Sequence, residues 1–211
     1  MRNTLADVVS AALRVLDQQG LEGCSMRRVA AALDVQPSAL YHHVPNKQTL
    51  LARMADVIVG GVAAGDALAT DADPRAEPGA ERARRVCLEM RSAMLAVRDG
   101  ADVVATAAAF RLGSSDVEQR LGEWVGADAA RALLFYTFGQ AQSTQTHLQA
   151  ASLGALIAPE GGQAALAAEA DEAGPDPAAE LDASFERGLD IIIAGLASER
   201  AGIASTNDIL H

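Results

Sequence analysis

A chain of 211 residues is long enough for one sizeable domain, or for a small domain joined to a larger one. Half of it is apolar, aromatics are scarce and alanine is abundant, which favours a buried core built from helices over one built from strands. The formal net charge of -11 excludes a uniformly basic nucleic-acid binder. Two widely separated cysteines without CxxC spacing, Cys24 and Cys87, exclude a zinc finger and a disulfide framework and fit a reducing cytoplasm.

The first fifteen residues, MRNTLADVVSAALRV, carry Asp7 and Arg14 inside their apolar run and do not read as a signal peptide. Residues 132–159 form a long uncharged stretch. Its middle, QAQSTQTHLQ, is too rich in amides and hydroxyls for hydrocarbon, so no membrane partner is expected. The charge is unevenly spread. Residues 1–54 hold six basic side chains (Arg2, Arg14, Arg27, Arg28, Lys47, Arg53) against four acids (Asp7, Asp17, Glu22, Asp34). That head is +2, which leaves -13 for the remainder of a chain at -11. A mildly basic head on an acidic body points to one end that approaches a polyanion and another that does not.

In chain order, Thr4 with Asp7 three residues on reads as a capping box, followed by an apolar face of Leu5, Val9, Ala12, Leu13 and Leu16 and a stop at Gly20. A short helix over 25–33 is expected to bury Met26, Val29, Ala30 and Leu33. A third starts at Pro37, where a missing N–H is harmless, and runs to about His43, because Pro45 disfavours helix at Val44. Asn46 caps a longer helix towards Gly60-Gly61. A linker over 66–80 follows, then helices at about 79–98, 101–112, 115–125 and 127–157, a Gly- and Pro-punctuated acidic loop over 158–177, and a last helix at about 178–199. No repeats or alternating strands occur. The fold class expected is all-α.

Two short helices joined by Asp34-Val35-Gln36, between longer ones, describe a helix-turn-helix whose second helix enters a DNA major groove. Ser38 is small and polar, Ala39 permits close approach, Tyr41 and His42 reach phosphates or bases, and Lys47 suits a backbone phosphate. Adjacent His42 and His43 point about 100° apart on a helix, and no third ligand lies at helical spacing, so no metal is expected.

The stretch LDVQPSALYHHVPNKQTLL resembles the TetR family of bacterial transcriptional regulators, with SMRRVAAALDV like its second helix and ALYHHVPNK like its recognition helix. FERGLDIIIAGL, residues 185–196, looks like the last helix of the tetracycline-repressor-type C-terminal domain, and LFYTFGQAQSTQTHL, 134–148, is similar in character to its penultimate long helix. Residues 65–130 carry no such match. The resemblance implies a three-helix DNA-binding domain at 1–46, a connecting helix at 47–64, and a larger helical ligand-binding and dimerisation domain at 65–211. It puts Arg27 at a base contact, Ser38 and Ala39 in the base-reading region, and Tyr41 and Lys47 at phosphates. Arg28, Pro37, His42 and His43 complete the DNA-facing set. Asp34 departs from the family pattern, standing where glycine is usual.

By the same resemblance the last two long helices form a four-helix dimer bundle, with Leu181, Phe185, Leu189, Ile192 and Leu196 as its apolar stripe. The small-sided run ADVVATAAAF leaves room for an effector. Met90, Met94, Phe110, Trp124, Phe135 and Phe138 are available as walls, and Gln140, Thr144 and His147 as polar contacts. Those polar residues have a second reading, as partners of the matching helix of another subunit. No nucleophile elbow, P-loop, HExxH or dinucleotide fingerprint appears, so neither an enzyme nor a cofactor is expected. The expected partners are double-stranded operator DNA, a small hydrophobic effector and a second copy of the chain. The rival readings are a DNA-binding regulator answering to a protein partner or modification, and an all-helical enzyme.

Overall fold

The computed structural model describes residues 3–64, 78–110, 115–152 and 177–208, and among these the regular structure is entirely helical. The elements are α1 (Leu5–Gly23), α2 (Met26–Ala32), α3 (Pro37–Leu40), α4 (Lys47–Ala64), α5 (Gly79–Leu95), α6 (Gly100–Ala109), α7 (Ser115–Val125), α8 (Ala127–Ser152) and α9 (Pro177–Asp208). The linker expected at 66–80 lies outside the described residues up to residue 77, and the acidic loop at 158–177 up to residue 176.

Local chemistry sets the helix starts. The Thr4 hydroxyl accepts from the Asp7 amide at 3.2 Å, and the Asp7 carboxylate accepts from the Thr4 amide at 2.8 Å. Together these close the capping box. The Thr4 backbone bond, then the Thr4 hydroxyl, holds the Asp7 carboxyl below its ordinary pKa. Ser25 caps α2 through the Arg28 amide, and Asn46 accepts from the Thr49 amide at 2.8 Å at the start of α4.

Tertiary packing adjusts the faces. In α1 the buried stripe is Val8, Val9, Ala11, Ala12, Val15 and Leu16. Leu5, in the first turn, is exposed, and Leu13 is only half-buried, because it lies about 120° round the helix from the stripe's centre. Val29 and Ala30 are buried as expected, whereas Met26 and Leu33 at the ends of α2 are half-buried. Leu40, Val44, Leu50 and Met54 complete the head's core, all fully enclosed. Each such side chain contributes about 1.5–3 kcal/mol of burial. Helix α3 is shorter than expected: it ends at Leu40, and residues 41–43 form a turn in which the His43 and Val44 amides both bond the Leu40 carbonyl at 2.9 Å. Pro45 enforces that stop. Helix α4 runs on through Gly60-Gly61, which alone would disfavour it by about 1 kcal/mol each, because Ile58, Val59 and Val62 are buried beyond and around them.

Two compact units are present, Met1–Ala141 and Gln142–His211, with the boundary inside α8. Within the first, α4 packs against α1 on one side and against α5 and α6 on the other, so the head and the helices after it form one contact network. Cys87 is buried there beside Thr137, and burial pushes its thiol up to about 11 against the opposing Thr137 bond. In the second unit Thr144, Gln145, Phe185 and Leu189 are buried.

Candidate nucleic-acid interface

The head is organised around the turn between α1 and α2. Gly20 breaks the helix with φ 69° and ψ 177°, a region that essentially only glycine occupies. A side chain there would also meet the Asp99 carboxylate at 2.9 Å. Several nearby backbone groups are claimed by side chains of the first unit. The Leu21 amide donates to Asp99 Oδ2 at 2.7 Å. The Leu21 carbonyl accepts from Lys47 Nζ at 3.4 Å, and the Gly23 carbonyl accepts from Arg28 Nη1 at 2.8 Å. Arg98 Nη1 donates to the Asp17 carbonyl at 3.0 Å. These bonds satisfy orphan carbonyls at a helix end. They also tie the α5–α6 connection and the first residue of α4 to the segment 17–23 at the end of α1.

Arg98 and Asp99 are absent from the sequence-derived site. One local signal marks them: Asp99-Gly100 is a turn dipeptide, and Asp99 does adopt φ 54°. Asp34 adopts φ 55°, so aspartate occupies the left-handed turn position where the family pattern has glycine. Nothing in the local sequence foretells a bond from residue 99 to residue 21.

The sequence-predicted reading residues come together on this anchored head. Arg27 is exposed on α2, and among the described residues no side-chain hydrogen bond or ion pair holds it. Ser38 is exposed, and Pro37 and Ala39 half-buried, on α3. Tyr41 is 52% exposed, which excludes a role as a core aromatic. Ala39, His42 and His43 border an open groove of about 470 Å³ together with Asn3, Val8, Val35 and Leu40. Arg28 and Lys47 differ from the others, since each already spends a donor on the α1–α2 turn. Burial raises the Cys24 thiol and the nearby Lys47 charge opposes it, so Cys24 is a packed thiol and no nucleophile.

The body residues singled out in the sequence differ in exposure. Met90 and Met94 are core side chains, Phe110 is 57% exposed, Phe138, Gln140 and His147 are half-buried, and Thr144 is enclosed. Phe135 is exposed. Trp124 borders a cleft with Val62, Val86, Val117, Arg120 and Leu121. On α9, Phe185 and Leu189 are already buried within the single chain, Leu181, Ile192 and Leu196 are half-buried, and Ile191 is 73% exposed. Among the described residues no group of three or more His, Cys, Asp or Glu side chains is placed to hold a metal, and no helix is long and apolar enough to cross a membrane.

A short exposed helix carrying small and polar residues, preceded by a capped partner helix and braced at its base, defines a DNA-binding helix-turn-helix protein. The family model for bacterial regulatory proteins of the tetR family matches residues 8–54. The tetracycline repressor protein class A from transposon 1721 of Escherichia coli is 32% identical over 210 residues, covering 92% of this chain and 90% of the relative. Among solved structures, Mycobacterium smegmatis BioQ has a TM-score of 0.75 at 29% identity, over 93% of this chain and 98% of that one. BioQ with its double-stranded DNA operator gives 0.68 at 27%, over 92% and 98%. The Streptomyces coelicolor TetR family protein ActR in complex with (S)-DNPA gives 0.63 at 26%, over 94% and 99%. The chain belongs to the TetR family, and it is a transcriptional regulator.

Proposed function

We propose that the protein is a ligand-responsive repressor that binds a palindromic operator as a homodimer and is released by a small hydrophobic effector. Residues 1–46 read DNA, 47–64 link, and 65–211 sense and dimerise. Arg27 forks onto a base, with guanine the natural match. Ser38 and Ala39 face base edges, and Pro37, Tyr41, His42 and His43 border the groove or its phosphates. Arg28 and Lys47 serve phosphates while bracing the turn. The observation that carries this reading is the exposed, uncommitted Arg27 beside the exposed start of α3 on a rigidly braced head. The operator complex of BioQ supports the DNA partner, and the ligand complex of ActR supports a small-molecule effector.

Dimerisation runs through α9 and the second half of α8. The exposed Ile191 and Leu148, beside the half-buried Ile192 and Leu196, support it, since an apolar surface of this kind is favourable only when covered. Gln140, Thr144 and His147 serve either the effector or the matching helix of the second subunit. Footprinting on the DNA flanking the protein's own gene, then screening small molecules for release, tests the proposal. A protected inverted repeat that a small molecule frees supports it. Random, unprotected DNA contradicts it.

One observation favours a second reading, a regulator answering to a protein partner or modification. Among the described residues, the cleft beside Trp124 has a volume of about 10 Å³, room for a single water. Protection that no small molecule lifts, but that a cell extract does, would favour this alternative.

A further inference from the structure

Two of the chain's four histidines stand side by side at the end of the reading helix, and residues 1–54 contain no other. His42 is exposed and His43 half-buried in the turn after α3, where the His43 amide bonds the Leu40 carbonyl at 2.9 Å. Both border the open groove of about 470 Å³, with Ala39 and Leu40 of α3, Val35 of the preceding turn, and Asn3 and Val8 from the start of α1. Among the described residues that lining holds no carboxylate, lysine or arginine. The charged groups closest to it in the chain are engaged or open to solvent. On α1 the Asp7 carboxylate accepts from the Thr4 amide at 2.8 Å and from the Thr4 hydroxyl at 2.7 Å. Asp34 is exposed at the left-handed turn position before Val35. At the start of α4 the Lys47 ammonium bonds the Leu21 carbonyl at 3.4 Å. Among the described residues neither imidazole makes an ion pair or a side-chain hydrogen bond, which leaves both rings to whatever faces the groove.

We infer that His42 and His43 form a proton-dependent phosphate clamp, which tightens the grip of the head on DNA as pH falls through the range in which histidine titrates. The inference rests on the DNA-reading surface proposed above and adds a regulation of that surface. Histidine is the side chain whose ordinary charge change lies between pH 5 and 8. The head carries +2 with both rings neutral, so two added protons double its charge to +4. An imidazolium donates from both ring nitrogens, where the neutral ring donates from one. A DNA phosphate therefore favours the protonated ring, binding takes up protons, and affinity rises as pH falls. Phosphates are the same on every sequence, so operator and random DNA should gain alike, and the base contact of Arg27 is left untouched.

The test measures the affinity of the intact protein for the gene's flanking DNA and for a random duplex at fixed ionic strength. Protein concentrations are chosen where sedimentation shows the same assembly at each pH, and circular dichroism shows the variants folded. From about pH 7.5 to about pH 6.0 the wild type should tighten on both duplexes by about tenfold or more. Replacing both rings, His42→Gln with His43→Gln, should hold the change within about twofold. His42→Lys with His43→Lys keeps both charges at every pH. That variant should be equally flat, and should bind at about pH 7.5 as tightly as the wild type does at about pH 6.0. The slope of log affinity against log salt should steepen for the wild type at the lower pH, by about 0.9 for each phosphate gained. A flat wild type, a pH response that survives in the glutamine variant, or a salt slope that does not change with pH overturns the inference. DNA binding that is flat in pH removes the clamp and leaves the regulator. No binding to either duplex at any pH overturns both.

Discussion

The reading head and the body cleft solve opposite problems. The head holds its exposed side chains still: four side chains from α2, α4 and the α5–α6 connection grip one turn, and the surface above it is left for a partner. The cleft holds its side chains together and leaves about 10 Å³. Helix α4 belongs to both, with Lys47 at the turn and Val62 in the cleft. The braced turn and the tightly filled cleft thus share one element, α4.

In the proposed dimer the largest effect should come from removing the second subunit, since one reader alone would contact half an operator. Ile192→Asp puts a charge on the apolar side of α9, where pairing with a second copy would bury it at a cost of several kcal/mol. Sedimentation should show a monomer, and operator binding should be lost. A folded Ile192→Asp dimer would move the interface elsewhere.

Gly20→Ala comes next and tests the head's rigidity. It forces a side chain into glycine-only backbone space and against Asp99, so denaturant unfolding should show a loss of about 2–3 kcal/mol. A loss within about 0.5 kcal/mol, the range of ordinary surface changes, would mean that the turn is not strained as described.

Asp99→Ala is smaller and sharpens the contrast between the two regions. It removes a charge-assisted bond from the Leu21 amide, worth about 1.5–3 kcal/mol. Much of that loss should appear as faster hydrogen exchange at residues 20–24, with the α5 and α7 amides around the cleft unchanged. Uniformly faster exchange throughout the first unit would show that head and body open together.

How legible the two regions were follows from how far apart their partners lie in the chain. The caps at Thr4 and Asn46 and the break at Gly20 are settled within four residues and were readable; Ser25 reads in sequence as a helix start and not as a cap, and α3 ends at Leu40, three residues before the expected His43. The reading residues are close neighbours in the chain for the same reason. The brace was not readable, because Asp99 and Leu21 are 78 positions apart and no periodicity links them. The cleft draws on α4, α5 and α7, and Arg82 and Arg120, which lie at its Trp124 ring, look in sequence like solvated charges. Apolar patterning also could not tell the inside of a chain from the surface between two. Phe185, Leu189 and Ile192 sit on one stripe, yet the first two are buried in the monomer and the third is half-buried.

The central claim, that α2 and α3 read a sequence from a braced head, meets its most direct test in the salt-matched affinities of wild type, Arg27→Ala and Lys47→Ala for the protected operator and for random DNA. Arg27→Ala should lose about 1–3 kcal/mol on the operator and little on random DNA, relaxing preference at one base pair per half-site. Lys47→Ala should weaken both alike, because it bonds the turn beneath the reader and, in the proposed interface, serves a phosphate. Equal losses on the two DNAs for both variants would contradict the assignment of Arg27, and with it the reading surface described here.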